Sequence, residues 1–521
     1  MKTLRRTSQI LFLLLFILLF VKTEYTGTNQ IPYPVKFFLD FDPLIGLSTV
    51  LASHGLPSGL PKALAWSLVL VFLTLLLGRV FCGWVCPFGT LNHLTGRLLF
   101  RKPSGIQRLR YSPWQKGKYY LLIGLIVASI FTLQLVGFLD PLSFLIRSLA
   151  VSINPAFNYV INSLFDFLYK TRLDVLTYIS EPVYALFKST VLSFKQPHFN
   201  QGFVIGFIFL GMLLLNMVRP RFWCHFICPL GALLGIISRY SPLHLEGEEG
   251  CISCGKCLAR CQGGALPSGP EGWRKSECLF CWNCESSCPL KSVHFRFSWP
   301  FKKGETGIDL TRRHILASAL GGMFVVPFIK LRPISNSPHP RLIRPPGAQS
   351  EREFLKTCVK CGECMKVCLT NGLHPSLLEG GIEGIWSPIL IPKLGYCEYA
   401  CTLCGQVCPT GAIRELGEEE KKTIKIGLAF INKNRCLPYA FNTRCIVCEE
   451  QCPTYPKAIW LEEKDIVDRD GRVKRLQLPV VDPKLCIGCG ICEYQCPVVD
   501  NPAITITSIG ESRSTQSSII L

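Results

Sequence analysis

Residues 251–289 read CISCGKCLARCQGGALPSGPEGWRKSECLFCWNCESSCP, and this stretch repeats one spacing of cysteines, C-x2-C-x2-C-x3-C. Three cysteines at that spacing wrap a loop around one face of a 4Fe–4S cluster, and the fourth reaches a neighbouring cluster. A zinc ribbon would instead show two C-x2-C pairs separated by a longer spacer. The stretch therefore predicts two clusters, one bound by Cys251, Cys254, Cys257 and Cys288 and the other by Cys261, Cys278, Cys281 and Cys284.

The same spacing recurs downstream in four more groups of cysteines. Proline follows the last cysteine in three of these groups, whereas Leu369 follows it in the first. Two of the groups have a longer first interval, but the C-x2-C-x3-C core is intact in each. Four further clusters are expected, with the fourth ligand exchanged between paired groups, and the sequence leaves open which groups pair. The predicted ligands are Cys358, Cys361, Cys364 and Cys368; Cys397, Cys401, Cys404 and Cys408; Cys436, Cys445, Cys448 and Cys452; and Cys486, Cys489, Cys492 and Cys496.

The composition indicates a large metalloprotein with membrane segments. A count of 28 cysteines in 521 residues is high for a cytosolic enzyme, and the chain is far too long for a disulfide-stapled mini-domain. A hydrophobic content of 49% and a mean hydropathy of +0.30 exclude a disordered protein or a simple soluble domain. The net charge of +20 would suit nucleic acid or a membrane, but no basic and aromatic stripe on a binding fold accompanies it, so no nucleic-acid partner is expected.

Four apolar segments are expected to span a lipid bilayer: residues 10–21, 63–77, 119–139 and 202–218, each reaching about 20 residues with its flanks. The first is a secretory signal or an anchor, and the absence of an A-x-A cleavage pattern after it favours an uncleaved anchor. Buried helices of a soluble core are the alternative. The predicted fold is an α-helical membrane bundle of four spans plus a twin-arginine-like fifth helix, with two α+β bacterial ferredoxin-like modules.

Basic residues between the spans predict their orientation. Between residues 88 and 118 there are seven lysines and arginines and no acidic residue, whereas 22–60 and 139–200 are nearly balanced. Because basic loops remain in the cytoplasm, the N-terminus and residues 241–300 are predicted to be cytoplasmic. Residues 333–521 are predicted to be extracytoplasmic, so the protein is expected to be a multi-pass protein of the cytoplasmic membrane.

The membrane part contains an internal repeat. The tripeptide DPL at 42–44 precedes a span that leads to FCGWVCPFG, and DPL at 140–142 precedes one that leads to CHFICPLG. Each half contains two spans, so both C-x3-C-P elements are expected at the cytoplasmic face. Thiols at a membrane boundary suit a metal or redox site, and reduced, buried cysteines are the alternative. The four candidates are Cys82, Cys86, Cys224 and Cys228.

Residues 311–330, TRRHILASALGGMFVVPFIK, separate the two sets of clusters. Arg312 and Arg313 ahead of a moderately apolar stretch resemble a twin-arginine export signal, and the alternative is an ordinary membrane helix or buried helix. The expected domains are a membrane domain (1–240), a cytoplasmic two-cluster domain (241–300), the twin-arginine-like segment (305–332), a Pro- and Ser-rich linker (333–350), a four-cluster domain (351–510) and a tail (511–521).

With these motifs, the chain resembles a fusion of two families. Residues of roughly 60–300 resemble the NapH family of membrane ferredoxins, through FCGWVCPFG, CHFICPLG and the two-cluster run. Residues of roughly 308–505 resemble the NapG/MauM family of exported ferredoxin-type proteins, through TRRHIL, RPPGA, CVKCGECMKVC, GYCEYACTLCGQVCPTGAI and CIGCGICEYQCP. Fusion in one chain departs from the separate subunits of these families.

The resemblance implies a quinol dehydrogenase module, an oxidoreductase component that takes electrons from menaquinol or another quinol. Its clusters would pass the electrons to an extracytoplasmic cytochrome or reductase. The alternative is a redox maturation or regulatory factor that delivers electrons to a partner metalloprotein. Asp42 and Asp140 are candidate proton acceptors, although capping of helix starts ahead of proline is the favoured role. His93 and His225, beside the C-x3-C-P elements, are candidates for quinone or metal binding.

Overall fold

The computed structural model describes residues 1–57, 59–99, 111–170, 174–247, 251–266, 272–298, 308, 310–330, 339–467 and 473–513. Residues 333–338 of the predicted linker, residues 514–521 of the predicted tail and the basic residues of 101–110 lie outside this range. The α-helices are α1 (Lys2–Lys22), α2 (Phe37–Asp40), α3 (Pro43–Ser53), α4 (Leu60–Leu77), α5 (Pro87–Leu99), α6 (Gly117–Ile130), α7 (Val136–Leu139), α8 (Pro141–Ser148), α9 (Asn154–Lys170), α10 (Asp174–Thr190), α11 (Gly202–Leu214), α12 (Phe222–Phe226), α13 (Pro229–Ser238), α14 (Lys256–Arg260), α15 (Arg312–Lys330), α16 (Glu351–Thr357), α17 (Glu363–Lys366), α18 (Leu403–Gln406), α19 (Glu418–Thr423), α20 (Leu437–Ala440), α21 (Val447–Glu450) and α22 (Ile491–Tyr494).

The strands form small two-stranded antiparallel sheets. They are β1 (Leu243–Gly247), β2 (Val293–Phe297), β3 (Leu373–Pro375), β4 (Pro388–Leu390), β5 (Leu428–Ile431), β6 (Ile459–Val467), β7 (Val473–Val481) and β8 (Ile504–Thr507). Two of the pairs join chain ends that flank cysteine groups: β1 pairs with β2 around residues 251–288, and β5 pairs with β8 around residues 436–496. These two sheets each close a cysteine-rich loop region, whereas the loops joining β3 to β4 and β6 to β7 contain no cysteine.

The chain divides into two compact units. Unit 1 comprises Met1–Lys22, Pro34–Leu149 and Phe203–Phe328, and unit 2 comprises Thr23–Tyr33, Ala150–Gly202 and Ile329–Leu521. The two-cluster run thus belongs to the same unit as most of the apolar helices, and the four downstream groups belong to the other.

Within the described residues, three helices are long and apolar enough to cross a membrane, namely Lys2–Lys22, Leu60–Leu77 and Pro141–Lys170. The first two agree with predicted spans, but the third lies in a segment that was predicted to be an outer loop. The predicted span 119–139 is interrupted, because α6 ends at Ile130 and Thr132 takes a left-handed conformation with φ of 64°. The segment 202–218 forms a shorter apolar helix. The four-span bundle is therefore not confirmed, although membrane insertion of apolar helices remains compatible with the structure.

The two DPL tripeptides cap helices as predicted. The Asp42 carboxylate accepts hydrogen bonds from the backbone amides of Leu44 at 2.8 Å and Ile45 at 3.3 Å, and Pro43 occupies the first turn of α3. Asp140 does the same at α8, accepting from Leu142 at 3.0 Å and Ser143 at 2.8 Å. Capping satisfies amides that have no partner inside the helix, and proline lacks that amide, so the pattern stabilises a helix start.

The helix of the twin-arginine-like segment packs closely within unit 1. A Cβ atom added to Gly322 of α15 would lie 2.4 Å from the backbone oxygen of Gly124 in α6. Small residues at such a crossing allow helix backbones to approach each other, as they do in membrane helix pairs. The helical part of the prediction for Arg312–Lys330 therefore agrees with the structure, while its use as an export signal remains a prediction.

Two short segments far away in sequence pack on the four-cluster part of unit 2. In segment 23–33, the Thr23 backbone oxygen accepts a hydrogen bond from the Lys366 ammonium at 2.7 Å, and Asn29 donates to the Ala400 backbone oxygen at 2.8 Å. In segment 150–202, Gln201 donates to the Pro375 backbone oxygen at 3.0 Å, and the His198 backbone oxygen accepts from Asn371. Unit 2 is thus assembled from three separate parts of the chain.

A buried ion-pair network stabilises the N-terminal edge of the four-cluster part. Arg344, from the RPPGA motif, donates to both oxygens of Glu351 at 3.0 and 2.6 Å, and Arg513 donates to Glu351 at 2.9 Å. Burial alone would raise the pKa of the Glu351 carboxyl, but the charges of Arg344 and Arg513 outweigh burial and hold the pKa at about 2. The carboxylate is therefore charged throughout the physiological pH range.

We expect Glu351→Gln to lower the free energy of unfolding of unit 2 by about 3 to 5 kcal/mol, because it leaves buried Arg344 without its counter-ion. The contribution is present above the ordinary glutamate pKa of about 4.3 and is lost as pH falls towards the folded value, so the difference from wild type should shrink in acid. Denaturant unfolding of the holoprotein measures both effects. Asp465→Asn is the control, because the Arg475–Asp465 pair is exposed. Equal midpoints for the two variants would contradict the expectation.

Candidate iron–sulfur and thiol sites

The second half of the two-cluster run brings four thiols together in unit 1. Burial raises the pKa of the Cys284 thiol, and the charges of Cys278, Cys281 and Cys261 raise it further, so these four side chains are close neighbours. The Ala265 backbone amide donates to the Cys261 sulfur at 3.2 Å, and the Phe280 amide donates to the Cys278 sulfur at 3.4 Å. Amides directed at sulfur stabilise thiolates and tune the potential of a cluster. The structure thus groups Cys261 with the later cysteines, as the sequence predicted.

The first half of the run is more exposed. Cys251 and Cys254 are exposed and Cys257 is half-buried, and burial raises the pKa of the Cys257 thiol, with contributions from Cys251 and Cys254. Cys288, the predicted fourth member, lies 3.6 Å from the Ser292 hydroxyl. The structure therefore brings the first three cysteines together and leaves the place of Cys288 among them as a prediction.

The two C-x3-C-P elements of the repeat meet inside unit 1. Burial raises the pKa of the Cys228 thiol, and the charges of Cys224, Cys82 and Cys86 raise it further. Cys86 and Cys228 are buried, and each accepts a backbone hydrogen bond from the amide three residues ahead, Gly89 at 3.4 Å and Gly231 at 3.2 Å. We call these four cysteines the membrane quartet. Their equivalent geometry in the two halves agrees with the internal repeat.

The cysteine loop at 278–284 packs directly against the first C-x3-C-P element. The Trp84 indole donates to the Phe280 backbone oxygen at 2.9 Å, and a Cβ atom added to Gly83 would lie 2.4 Å from the Leu279 backbone oxygen. Glycine at position 83 is therefore required for the backbones to approach so closely. This contact places the backbone of the loop directly beside the first C-x3-C-P element.

A buried charged network surrounds the same contact. Glu277, which precedes the loop, accepts hydrogen bonds from the Lys118 ammonium at 2.5 Å and the Tyr119 hydroxyl at 2.8 Å. Arg79, two residues after the end of α4, donates to the Ser276 backbone oxygen at 2.6 Å. Removing one partner of such a buried network is strongly destabilising, so the network fixes the loop against α4 and α6. This network was not predictable from the sequence, because its members are far apart in the chain.

In unit 2, the first two groups exchange their last cysteines. Burial raises the pKa of the Cys364 thiol, and Cys361, Cys358 and Cys408 raise it further. Conversely, a cavity is lined by Cys368 from the first group together with Cys397, Cys401 and Cys404 from the second. The remaining lining of this cavity is mostly apolar, with Leu373, Leu390 and Ile426 among it. Groups one and two are thus a pair.

The last two groups exchange cysteines in the same way. A second cavity is lined by Cys436, Cys445 and Cys448 from the third group and by Cys496 from the fourth. Burial raises the pKa of the Cys492 thiol, and Cys489, Cys486, Cys448 and Cys452 raise it further. The thiols of groups one and two thus lie together, as do those of groups three and four, and we infer that these are the pairs that the sequence left open.

The two pairs touch through groups two and four. The Cys397 backbone amide donates to the Cys489 backbone oxygen at 2.8 Å, and the rings of Tyr396 and Tyr494 lie 5.3 Å apart. The four thiol sets are consequently arranged in the order one, two, four, three. Such an order is suited to passing electrons stepwise along the unit.

These donor sets fit cubane clusters. Within the described residues, no three His, Cys, Asp or Glu side chains converge closely enough to hold a single metal ion. The ligands of a 4Fe–4S cluster are spaced more widely, since each thiolate binds a different iron. Two sets of four thiols line cavities in mostly apolar surroundings, and backbone amides point at Cys408 and Cys496, at 3.4 Å each. Thiolate donors, enclosed space and amide donors are what a cubane requires.

The two candidate histidines have different surroundings. His225 is buried, and its Nε2 lies 2.9 Å from the Gln262 backbone oxygen, which fixes the ring against the two-cluster run. His93 lines a basic cavity in unit 1. Neither contact involves a thiol of the membrane quartet.

Family comparisons agree with iron–sulfur chemistry. A family model described as a 4Fe-4S binding domain matches residues 60–107, 201–245 and 404–425, and another of the same description matches residues 479–499. The first two stretches contain the C-x3-C-P elements. The matched domains and the grouped thiols define an iron–sulfur protein of the 4Fe–4S class.

Sequence identity to known proteins identifies the family of this chain. The ferredoxin-type protein NapG of Escherichia coli (strain K12) is 36% identical over 168 residues, which is 32% of this chain and 69% of the relative. The methylamine utilization ferredoxin-type protein MauM of Paracoccus denitrificans (strain Pd 1222) is 34% identical over 209 residues, 38% of this chain and 87% of the relative. The chain belongs to this NapG/MauM family of ferredoxin-type proteins, which confirms the resemblance of its C-terminal part.

A further relative covers more of the chain. YccM of Escherichia coli (strain K12), named as a candidate electron transport protein, is 27% identical over 305 residues, 56% of this chain and 74% of the relative. The resemblance to the NapH family remains a prediction. No solved structure matches this chain.

Proposed function

We propose that this chain is a membrane-bound electron-transfer protein that relays electrons from quinol through 4Fe–4S clusters to an extracytoplasmic cytochrome or reductase. The observation that carries the proposal is the contact of the 278–284 loop with the C-x3-C-P element, where Trp84 donates to the Phe280 backbone. It joins a cluster-binding loop to the apolar helices with no intervening domain. The electron donor is menaquinol or another quinol.

The 24 cysteines of the six groups are proposed to hold six clusters, two in residues 241–300 and four in residues 351–510. Exchange of the last cysteine between paired groups, at Cys368 and Cys408 and at Cys452 and Cys496, supports this assignment. Each cluster accepts one electron, whereas quinol oxidation releases two electrons and two protons. The chain's own contribution is to hold the thiolates, exclude water and direct amides at sulfur.

The membrane quartet is proposed as an additional metal site at the start of the relay. Its support is the proximity of the four thiols and the match of a 4Fe-4S binding domain to both stretches that contain them.

We propose a multi-pass location in the cytoplasmic membrane, with the N-terminus and residues 241–300 inside and residues 333–521 outside. The apolar helices α1 and α4 and the helix Pro141–Lys170 are long enough to cross a bilayer and would contact lipid. Unit 2 contains segment 23–33 and, beyond Lys170, the rest of segment 150–202, and the charge balance assigns both stretches largely to the outside. Segment Arg312–Lys330 would then carry the chain outward ahead of the four-cluster domain.

The test uses the full-length holoprotein in nanodiscs with menaquinol. Rapid bleaching of the iron–sulfur absorbance supports the relay. No bleaching in protein that dithionite reduces fully would overturn it, and would favour a maturation factor that receives electrons from another protein. Iron analysis of the same sample should give about 24 atoms per chain from six cubanes, before any contribution from the quartet.

A further inference from the structure

Unit 1 contains a large cavity that the electron relay does not use. Its volume is about 300 Å³, and its lining comes from α1, from α5, from the residues before α12 and from both halves of the two-cluster run. The positively charged members of the lining are Lys2, Arg5, Arg6, Arg97, Arg221 and Arg260. No acidic side chain contributes to it in the part of the chain that the structure describes. The cavity is therefore strongly positive.

One guanidinium in the lining is buried without a counter-ion. Arg221 is only 2% exposed, and none of its three side-chain nitrogens has a hydrogen-bond partner. Its backbone is in the left-handed conformation with φ of 57°, which non-glycine residues rarely adopt. A buried, unpaired guanidinium is costly, so its retention in a strained conformation indicates a binding role.

The neighbouring Arg5 differs from Arg221 in having hydrogen-bond acceptors for its guanidinium. Arg5 is 1% exposed, and it donates to the Gln262 amide oxygen at 2.9 Å and the Asn283 amide oxygen at 3.4 Å. These neutral acceptors hold its side chain in place without cancelling its charge. The positive field also acts on His93, whose pKa is lowered to about 2 by burial and by Arg221, Arg97 and Arg5. His93 is thus neutral and can accept or donate one hydrogen bond to a ligand.

We propose that this cavity binds a phosphate-bearing anion, with Arg221 as its central ligand and the other basic side chains of the lining around it. Guanidinium groups bind phosphate through two parallel hydrogen bonds, and the five donors of Arg221 are available for them. Two sources share this chemistry: the headgroup of an anionic phospholipid and free inorganic phosphate. Basic pockets between membrane helices on the cytoplasmic side are typical headgroup sites.

The competing explanation is that Arg221 serves the membrane quartet. Burial raises the pKa of the nearby Cys224 thiol, and Arg221 opposes that effect, so the two groups interact. However, Lys2, Arg6 and Arg260 line the cavity as well, and a charge balance for the quartet alone would not require them there. The proposal goes beyond the electron relay and does not depend on quinol oxidation.

The test is native mass spectrometry of the delipidated full-length holoprotein in detergent, with added dioleoylphosphatidylglycerol or inorganic phosphate. Dioleoylphosphatidylcholine, whose zwitterionic headgroup carries a phosphate but no net charge, is the competitor that tests whether a net negative charge is needed. Arg221→Gln should weaken binding by about 10- to 100-fold, since a hydrogen bond to a charged group contributes about 1.5 to 3 kcal/mol. Arg239→Gln is the matched control, because Arg239 is exposed and does not line the cavity.

Saturable binding of phosphatidylglycerol that Arg221→Gln removes identifies a lipid headgroup, and saturable binding of phosphate alone identifies the free anion. Arg97→Gln removes an exposed charge of the lining and should weaken binding of the same ligand. This variant replaces Arg221→Gln in the test if Arg221→Gln does not retain its iron. Absence of binding by both probes overturns the proposal. Unchanged binding of the probes in both lining variants also overturns the proposal. So does an Arg221→Gln variant that binds the probes normally but has an altered electron paramagnetic resonance (EPR) spectrum of the quartet.

Discussion

Replacing Cys82 and Cys224 together by serine is expected to reduce menaquinol-driven bleaching of the clusters to the rate measured without quinol. The two side chains belong to different halves of the repeat, and both contribute to the charge that raises the pKa of the Cys228 thiol. Each half would therefore lose one donor, and the membrane quartet would no longer hold a metal centre. The measurement is stopped-flow absorbance of the variant and wild type in menaquinol nanodiscs.

Dithionite provides the control for this variant, because it reaches exposed clusters from solution. It should reduce the six clusters in variant and wild type alike, and the variant should retain about 24 iron atoms per chain from these clusters. Bleaching by menaquinol at the wild-type rate would show that the quartet has no part in the relay. The quartet would then be a set of reduced, buried cysteines.

Replacing Cys408 by alanine is expected to remove the cluster of the first group and to spare that of its own group. The reason is that Cys408 contributes to the raised pKa of the Cys358, Cys361 and Cys364 thiols, whereas Cys368 lines the cavity with Cys397, Cys401 and Cys404. Iron should fall by about four atoms per chain, which is one cubane.

Double variants separate this pairing from its alternative. Combining Cys408→Ala with Cys361→Ala should cost no further iron, because both ligands serve one cluster. Combining it with Cys401→Ala should cost about four more atoms, because two clusters are lost. The reverse pattern would mean that each group binds its own cluster, and the exchange in unit 2 would be wrong.

The exchange within residues 251–288 was predictable in part from spacing alone. A C-x2-C-x2-C run binds one face of a cubane and its fourth cysteine points away, so Cys261 had to join the other half. The pairing in unit 2 was not predictable in this way, because four groups allow several pairings. It depends on tertiary contacts such as the hydrogen bond from Cys397 to Cys489, whose residues are far apart in sequence.

Helix starts were predictable where a short motif specifies them, and helix ends were not. Asp42 and Asp140 cap their helices because aspartate followed by proline satisfies the first turn locally. The interruption of the segment 119–139 follows from the left-handed conformation at Thr132, which hydropathy does not report. The basic cavity was also missed, since Lys2, Arg97 and Arg260 are brought together only by the packing of α1 and α5 with the cysteine run.

Rapid freeze-quench EPR tests most directly whether electrons from quinol reach the four-cluster domain. The full-length holoprotein in menaquinol nanodiscs is quenched at successive times, and Cys408→Ala identifies the signal of one unit 2 cluster by its absence. The relay predicts that electrons appear on unit 2 clusters on the timescale of menaquinol oxidation, with no more than two clusters reduced for each menaquinol oxidised. Reduction confined to the clusters of residues 251–288, with unit 2 remaining oxidised but reducible by dithionite, would contradict it.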